Sequence, residues 1–454
     1  MKSMLLYALP MMAVNILQYF FGAANITVLG ILIRDVDRAN ASVAAIGATT
    51  TLTALALAFA TGLSVGTNVL VARLVGERAE EKAQRTVGAA AFLGIVSGVV
   101  FGGAGAALSR KLLEWTSCDP SVIDKATAYL RIYFLGFPFI TLYNVLSAVQ
   151  RSAGDTVRPS AYLAAAIALN IALAVFFTAA LHSDVKGAAI SVVISQAVAA
   201  VLSFVRLLKT SGCSKLKIRY VRAAKTECAE LLKTALPVVI HTSLFALSNV
   251  IVQSAVNGFG EKYMAGYAIA VQIDNMIYQA MAAVTIAALS FVSVSYGERN
   301  AAGVRKATRV SLYLICIIGG TAVLFIFTAG RSVCGVLSKD EEVVNAAMKR
   351  LTILGLPYTL CGIAEAFANV LRGMGKSALS MAIGIVGNCG ARILLLKTVC
   401  RKYATFEALL FVFPVTWALT IVVYVAAYFL ILKRSAAFRE ETERDKTAEK
   451  ENQL

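Results

Sequence analysis

The chain has 454 residues, 58% of them apolar and only 15% charged, with a formal net charge of +17 and a mean hydropathy of +0.73. Soluble domains run at about 45–50% apolar and about 25% charged, so this chain lacks the polar surface to wrap soluble cores; the composition indicates an all-α, polytopic membrane protein. Eight cysteines without metal-ligand spacing and only two histidines argue against a zinc site or a disulfide framework, no cofactor is expected, and the basic excess reads as cytoplasmic loops rather than a nucleic-acid surface.

A bilayer core about 30 Å thick takes about 20 apolar helical residues. In chain order, stretches free of Asp, Glu, Lys and Arg cover 4–33, 39–72, 86–109, 132–150, 159–183, 187–205, 234–260, 310–330 and 408–432. Three more qualify when one charge is tolerated in each: 263–297 with Asp274, 351–371 with Glu365 and 377–396 with Arg392. Twelve transmembrane helices result. The first run follows Lys2 like a signal peptide, but it is about twice a signal's apolar length and is taken as helix 1.

Loops on the side holding both termini carry 27 Lys and Arg against 14 on the opposite side, which predicts cytoplasmic termini in a cell membrane. The densest basic block lies midway. It divides the chain into an N-terminal six-helix bundle (1–208), a basic cytoplasmic linker (209–233), a C-terminal six-helix bundle (234–432) and a charged cytoplasmic tail (433–454).

The halves repeat. Ala8-Leu9-Pro10 answers to Ala235-Leu236-Pro237, Gly76-Glu77-Arg78 to Gly297-Glu298-Arg299, Phe137-Pro138 to Leu356-Pro357, Arg151 with Gly154 to Arg372 with Gly375, and Asn170 to Asn388. An even number of spans per repeat gives two pseudo-symmetric bundles in one orientation, an arrangement suited to a midplane site served by rocking. The prolines, paired by the repeat, read as a fold requirement. The turns after Arg151 and Arg372 read as tight cytoplasmic loops with lipid-facing charge, and Trp115 and Tyr129 as interfacial anchors.

These segments carry a family resemblance. LPMMAVNILQYFFGAANITVLG in helix 1, GLSVGTNVLVARLVGER ending helix 2, YLRIYFLGFPFITLYNVLSAVQRSAGDTVRP across helix 4, FGEKYMAGYAIAVQIDN entering helix 8, VLRGMGKSALSMAIGIVGNCGARI after helix 10 and FPVTW in helix 12 together resemble the multidrug and toxic compound extrusion (MATE) family over residues 5–432. The resemblance implies a V-shaped pair of bundles that exports amphipathic, often cationic compounds in exchange for H⁺ or Na⁺. It also implies a carboxylate in helix 1 and another in helix 5, and this chain has Asn25 and Ala174 in those places. A first-half proton site of that kind is therefore in doubt.

An ionised side chain at mid-span costs roughly 2.5–3.5 kcal/mol on insertion scales, so such residues mark a pathway or a buried pair. Asp274 shares a helical face with Tyr267 and Tyr278, and Glu365 with Tyr358 and Asn369. Asp274 and Glu365 are the candidates for binding the coupling ion or a cationic substrate. Alternatively, one or both pair with Arg392 in a salt bridge holding the bundle together, while Arg392 could itself receive an anion. Asn15, Gln18, Gly22 and Asn25 line one face of helix 1, and Thr242, Asn249 and Gln253 form a sparser stripe on helix 7. With Asn170, the amides read as cavity lining, packing glue, or both. His241 reads as a packing residue.

The expectation is a monomeric secondary transporter of small molecules, not an enzyme. A lipid-linked precursor flippase and a degenerate binding or sensing homologue remain as alternatives.

Overall fold

The computed structural model describes the backbone of residues 1–33, 35–116, 118–181, 183–221, 225–355, 357–400 and 405–434, with side chains undescribed at 18–27, 29–32, 36, 399–400 and 434. The side chains of Gln18 and Asn25 and nearly all of the 433–454 tail thus lie outside the described residues. Twelve helical passages occur among those residues, and no strand does. They are α1 (Lys2–Leu32), α2 (Val36–Gly76), α3 (Glu80–Trp115), the pair α4 (Ile123–Leu135) and α5 (Phe137–Ser152), α6 (Val157–Ala179) and α7 (Val185–Lys209). After a one-turn helix, α8 (Ile218–Val221), come α9 (Lys225–Asn257), α10 (Glu261–Gly297), α11 (Ala301–Leu337) and the pair α12 (Glu341–Gly355) and α13 (Tyr358–Gly373). The eleventh passage is wound as α14 (Ser377–Gly384), a π segment (Ile385–Ala391), α15 (Arg392–Leu395) and a second π segment (Leu396–Cys400); α16 (Phe406–Arg434) is last.

The two broken passages bend by 45° and 49°. Each break carries the repeat-related proline, Pro138 or Pro357, at the start of its second piece. A proline there gives up an N–H that a helix start leaves free anyway, so the chain turns without stranding a donor in lipid. Backbone conformation confirms the repeat at finer grain. Among the described non-glycine residues only Arg78 (φ 55°) and Arg299 (φ 58°) are left-handed, and they are repeat partners; so are Gly154 (φ 91°) and Gly375 (φ 75°). Asp155 N donates to Gln150 O (3.0 Å) and Lys376 N to Leu371 O (2.9 Å), the six-to-one bond of a left-handed helix terminus, in the same register in both halves.

The chain forms two compact units, residues 13–239 and residues 1–12 with 240–454. These boundaries differ from the 208/209 and 233/234 divisions read in the sequence. The first turns of α1 belong to the second-half unit, where Tyr7 Oη donates to Ser290 Oγ (2.8 Å) and its ring meets Phe291 edge-on. The described part of the basic linker belongs to the first-half unit: Leu216 is buried beside Val71, Val87 and Leu207, and Gln84 Nε2 donates to Gly212 O (3.1 Å). Leu231 and Ala235 of α9 pack there on Leu63 and Ala89. A few apolar side chains hold the linker down despite its charge.

Within the first-half unit, α3 presents Gly94, Gly98, Gly102 and Gly105 along a buried stripe. A Cβ at Gly98 would lie 2.6 Å from Pro138 Cα, and Thr141 Oγ1 donates to Gly94 O (2.6 Å). Small residues let helices approach closely where lipid offers no hydrophobic drive. Trp115 is exposed, as an interfacial anchor would be, but Tyr129 is buried and stacked on Tyr133, so its anchor reading is corrected.

Candidate functional site

The polar residues of the second-half unit gather into two clusters and one isolated cation. In the first cluster, Asp274 of α10 meets Arg350 of α12. Arg350 donates from Nη2 (2.8 Å) and Nε (3.1 Å) to the same oxygen, Asp274 Oδ2. Both side chains are almost fully buried, at 7% and 3% exposure for Arg350 and Asp274. The guanidinium lies 4.1 Å above the Tyr267 ring and 5.6 Å from Phe413. Asp274 Oδ1 and Arg350 Nη1 are buried without a hydrogen-bond partner. Tyr358 is buried edge-on against Trp417 (5.6 Å), and Tyr278 is half-buried beside the core.

In the second cluster, Glu365, Asn369 and Arg372 follow one another on α13 at spacings that keep them on one face. Asn369 Nδ2 donates to Glu365 Oε1 (3.2 Å), and Arg372 Nη1 donates to Glu365 Oε1 (3.1 Å) and Asn369 Oδ1 (2.9 Å). Arg372 Nη2 donates to His241 Nδ1 (2.9 Å) on α9. Because guanidinium only donates, His241 accepts at Nδ1 and carries its hydrogen on Nε2. Arg372 is 3% exposed whereas Glu365 is 25% exposed, so the carboxylate is the more accessible member.

The third feature is Arg392, 1% exposed, on the short α15 between two π segments. Its Nη1 donates to Asn249 Oδ1 (3.2 Å) on α9. Its Cζ lies 4.7 Å from the Phe413 ring centre and 5.5 Å from that of Phe245.

These positions correct three expectations. Arg392 pairs with neither Asp274 nor Glu365 among the described residues, because each carboxylate already holds another arginine. Arg350, counted from sequence among the outer-loop cations, is buried on α12. Arg372 turns inward from its tight turn instead of facing lipid, drawn by Glu365, Asn369 and His241. Sequence reasoning missed both arginines. The 365, 369, 372 spacing could have revealed Arg372, but nothing local ties Arg350 to a residue 76 positions earlier.

The first-half unit is chemically milder. Asn170 is fully buried; its Nδ2 donates to Ser191 Oγ (3.2 Å), its Oδ1 has no partner, and Ala174 is buried one turn along. Arg151, the counterpart of Arg372, donates to the hydroxyls of Ser147 and Ser64. Asn15 is half-buried on α1. The helix 7 stripe divides: Asn249 serves Arg392, while Gln253 Nε2 donates to Asn257 Oδ1 (3.0 Å) at an exposed position. Among the described residues no cluster of three His, Cys, Asp or Glu could hold a metal ion.

The MatE family model matches residues 10–176 and 237–396, one match in each half. The chain is 25% identical over 447 residues to a probable multidrug resistance protein, YoeA, of Bacillus subtilis, covering 96% of this chain and 95% of that protein. It is 24% identical over 389 residues to the multidrug export protein MepA of Staphylococcus saprophyticus, covering 84% of each. Its fold matches the Vibrio cholerae MATE transporter VcmN (TM-score 0.88, 18% identity, 96% and 98% coverage) and a MOP superfamily transporter from Pyrococcus furiosus (TM-score 0.87, 20% identity, 96% and 97% coverage).

Proposed function

This chain belongs to the MatE family, and we propose that it is a multidrug efflux transporter working in the cell membrane as a monomer, with both termini cytoplasmic. It exports amphipathic organic compounds by antiport with H⁺ or Na⁺, its two halves giving alternating access. The names of its relatives and the match of the family model in both halves support this reading.

The observation that carries the coupling assignment is the contrast between the two mid-span carboxylates, Asp274 buried and Glu365 partly exposed. Neutralising Asp274 would strand Arg350, whose nitrogens have no other hydrogen-bond acceptor among the described residues. Leaving one member of a buried pair uncompensated costs about 3–5 kcal/mol. Neutralising Glu365 is easier, because Arg372 keeps Asn369 Oδ1 and His241 Nδ1, and Glu365 is partly exposed. Glu365 therefore takes the coupling ion, and Asp274 holds the bundle together and shapes its electrostatics. When a neutral compound leaves, one ion moving down about 100 mV supplies about 2.3 kcal/mol, enough for a gradient between tenfold and a hundredfold. For a monovalent cation the exchange is electroneutral and the ion's own concentration gradient drives it, so one carboxylate suffices in either case.

The test is efflux of ethidium from proteoliposomes under separately imposed pH and Na⁺ gradients. The Glu365→Gln variant should bind dye but lose its response to the driving gradient. Gradient-driven efflux at the wild-type rate in that variant would remove Glu365 from coupling; no efflux from the wild type under either gradient would remove antiport itself.

A further inference from the structure

Among the described residues, the inward-turned charges of the second-half unit do not balance. Arg350 is matched by Asp274 and Arg372 by Glu365, while Arg392 has no carboxylate among the described residues. The mismatch has a specific geometry. Nε and Nη2 lie on one edge of a guanidinium and together form the fork that grips an oxyanion side-on. In Arg350 that edge is filled by Asp274 Oδ2 at 3.1 and 2.8 Å. In Arg392 the same two nitrogens are buried and without a partner, and only the outer nitrogen, Nη1, is engaged, by Asn249.

Two further observations mark the place. Phe413 is near two guanidiniums, 4.7 Å from Arg392 and 5.6 Å from Arg350, and Phe245 flanks Arg392 at 5.5 Å, so aromatic rings surround the unfilled fork. The helix bearing Arg392 is π-wound on both sides, a winding that is rare and concentrates at functional sites. Moreover, the spacing from Asn388 to Arg392 repeats that from Asn170 to Ala174. The two halves thus place a methyl group and a cation at corresponding positions of the repeat.

We propose that Arg392 is a binding site for the anionic group of an amphipathic aromatic compound, a carboxylate or sulfonate gripped by Nε and Nη2 with its ring system against Phe413 and Phe245. This deepens the reading of the chain as a multidrug exporter, and rests on it, by extending the substrates to organic anions. The anion receives two charge-assisted hydrogen bonds and completes the charge balance of the bundle.

The experiment compares two probes on one scaffold, 8-anilinonaphthalene-1-sulfonate and neutral 1-anilinonaphthalene. Their binding to the full-length protein is measured in phosphatidylcholine nanodiscs against protein-free discs. The wild type should bind the sulfonate at least tenfold more tightly than the neutral probe. R392Q should bring the two within about twofold, and R392K, which keeps the charge without the fork, should weaken sulfonate binding at least threefold. A wild type without sulfonate preference overturns the proposal, as does an unchanged preference in R392Q or R392K melting like wild type. Discs containing phosphatidylglycerol identify the ligand's source: retained sulfonate binding supports a substrate site, whereas its abolition assigns the fork to a lipid headgroup and overturns it. Ethidium efflux separates this inference from the function it rests on. Efflux without sulfonate binding overturns the anion site alone; saturable, Arg392-dependent sulfonate binding with no efflux of either compound upholds the site and overturns the exporter.

Discussion

Removing Arg350 leaves Asp274 in a worse state than a simple count of lost contacts suggests. Asp274 Oδ2 takes both of its donors from Arg350, and Oδ1 has none, so R350M leaves a carboxylate with no hydrogen bond at 3% exposure. At that depth water screens little, and the expected loss is about 3–5 kcal/mol. The contact of the guanidinium over Tyr267 at 4.1 Å adds about 1–2 kcal/mol. Replacing both partners should be far gentler, since D274L/R350M removes both desolvation costs and fills similar volume. The assay is unfolding in mixed micelles of rising dodecyl sulfate content, followed by the fluorescence of Trp417, which is buried edge-on against Tyr358. The two single variants and the double variant should give a coupling energy of about 3 kcal/mol or more. R350M within about 1 kcal/mol of wild type, or a double variant no more stable than the worse single one, would refute the reasoning.

Three further outcomes are expected. Gly98→Leu drives a side chain into the backbone at Pro138 and should cost about 1–3 kcal/mol, whereas Gly103→Leu, where a Cβ meets nothing within 4 Å, should be nearly neutral; equal losses in the same unfolding assay would contradict the close-packed stripe. Replacing left-handed Arg78 or Arg299 with glycine should raise stability by about 0.5–1 kcal/mol each, and a loss in both would count against the shared turn geometry. Burial pushes up the thiols of Cys118 and Cys213, so their maleimide labelling should be slow near neutral pH and accelerate as pH rises. With an impermeant reagent on intact cells, Cys118 should label from outside and Cys213 only after permeabilisation; the reverse would invert the proposed orientation.

The amino-acid sequence by itself determined the local features of this protein. Apolar run lengths marked the passages, because lipid leaves a backbone no alternative to a helix of that length. The repeat marked the turns, and Arg78 with Arg299 and Gly154 with Gly375 adopt paired left-handed conformations at the offsets the sequence shows. It also singled out Asp274 and Glu365, since a mid-span charge is conspicuous against an apolar background. Partnership was legible only along one helix, as with Glu365 and Asn369, whose spacing extends to Arg372 although that arginine reads from sequence as facing lipid.

Tertiary structure decided the rest. Arg350 lies close enough to a span end to be counted as a loop cation, and only the packing of α12 on α10 turns it onto Asp274. Arg392, the natural candidate to neutralise a carboxylate, is left with aromatic rings and an amide because both acids are taken. Likewise, the basic linker becomes part of a packed unit through Leu216 and its neighbours. The physical reason is common to the two arginines. The cost of placing a charge in a membrane follows from its own helix, whereas the group that compensates it is chosen by helices brought alongside, and in Arg392 that compensation is incomplete.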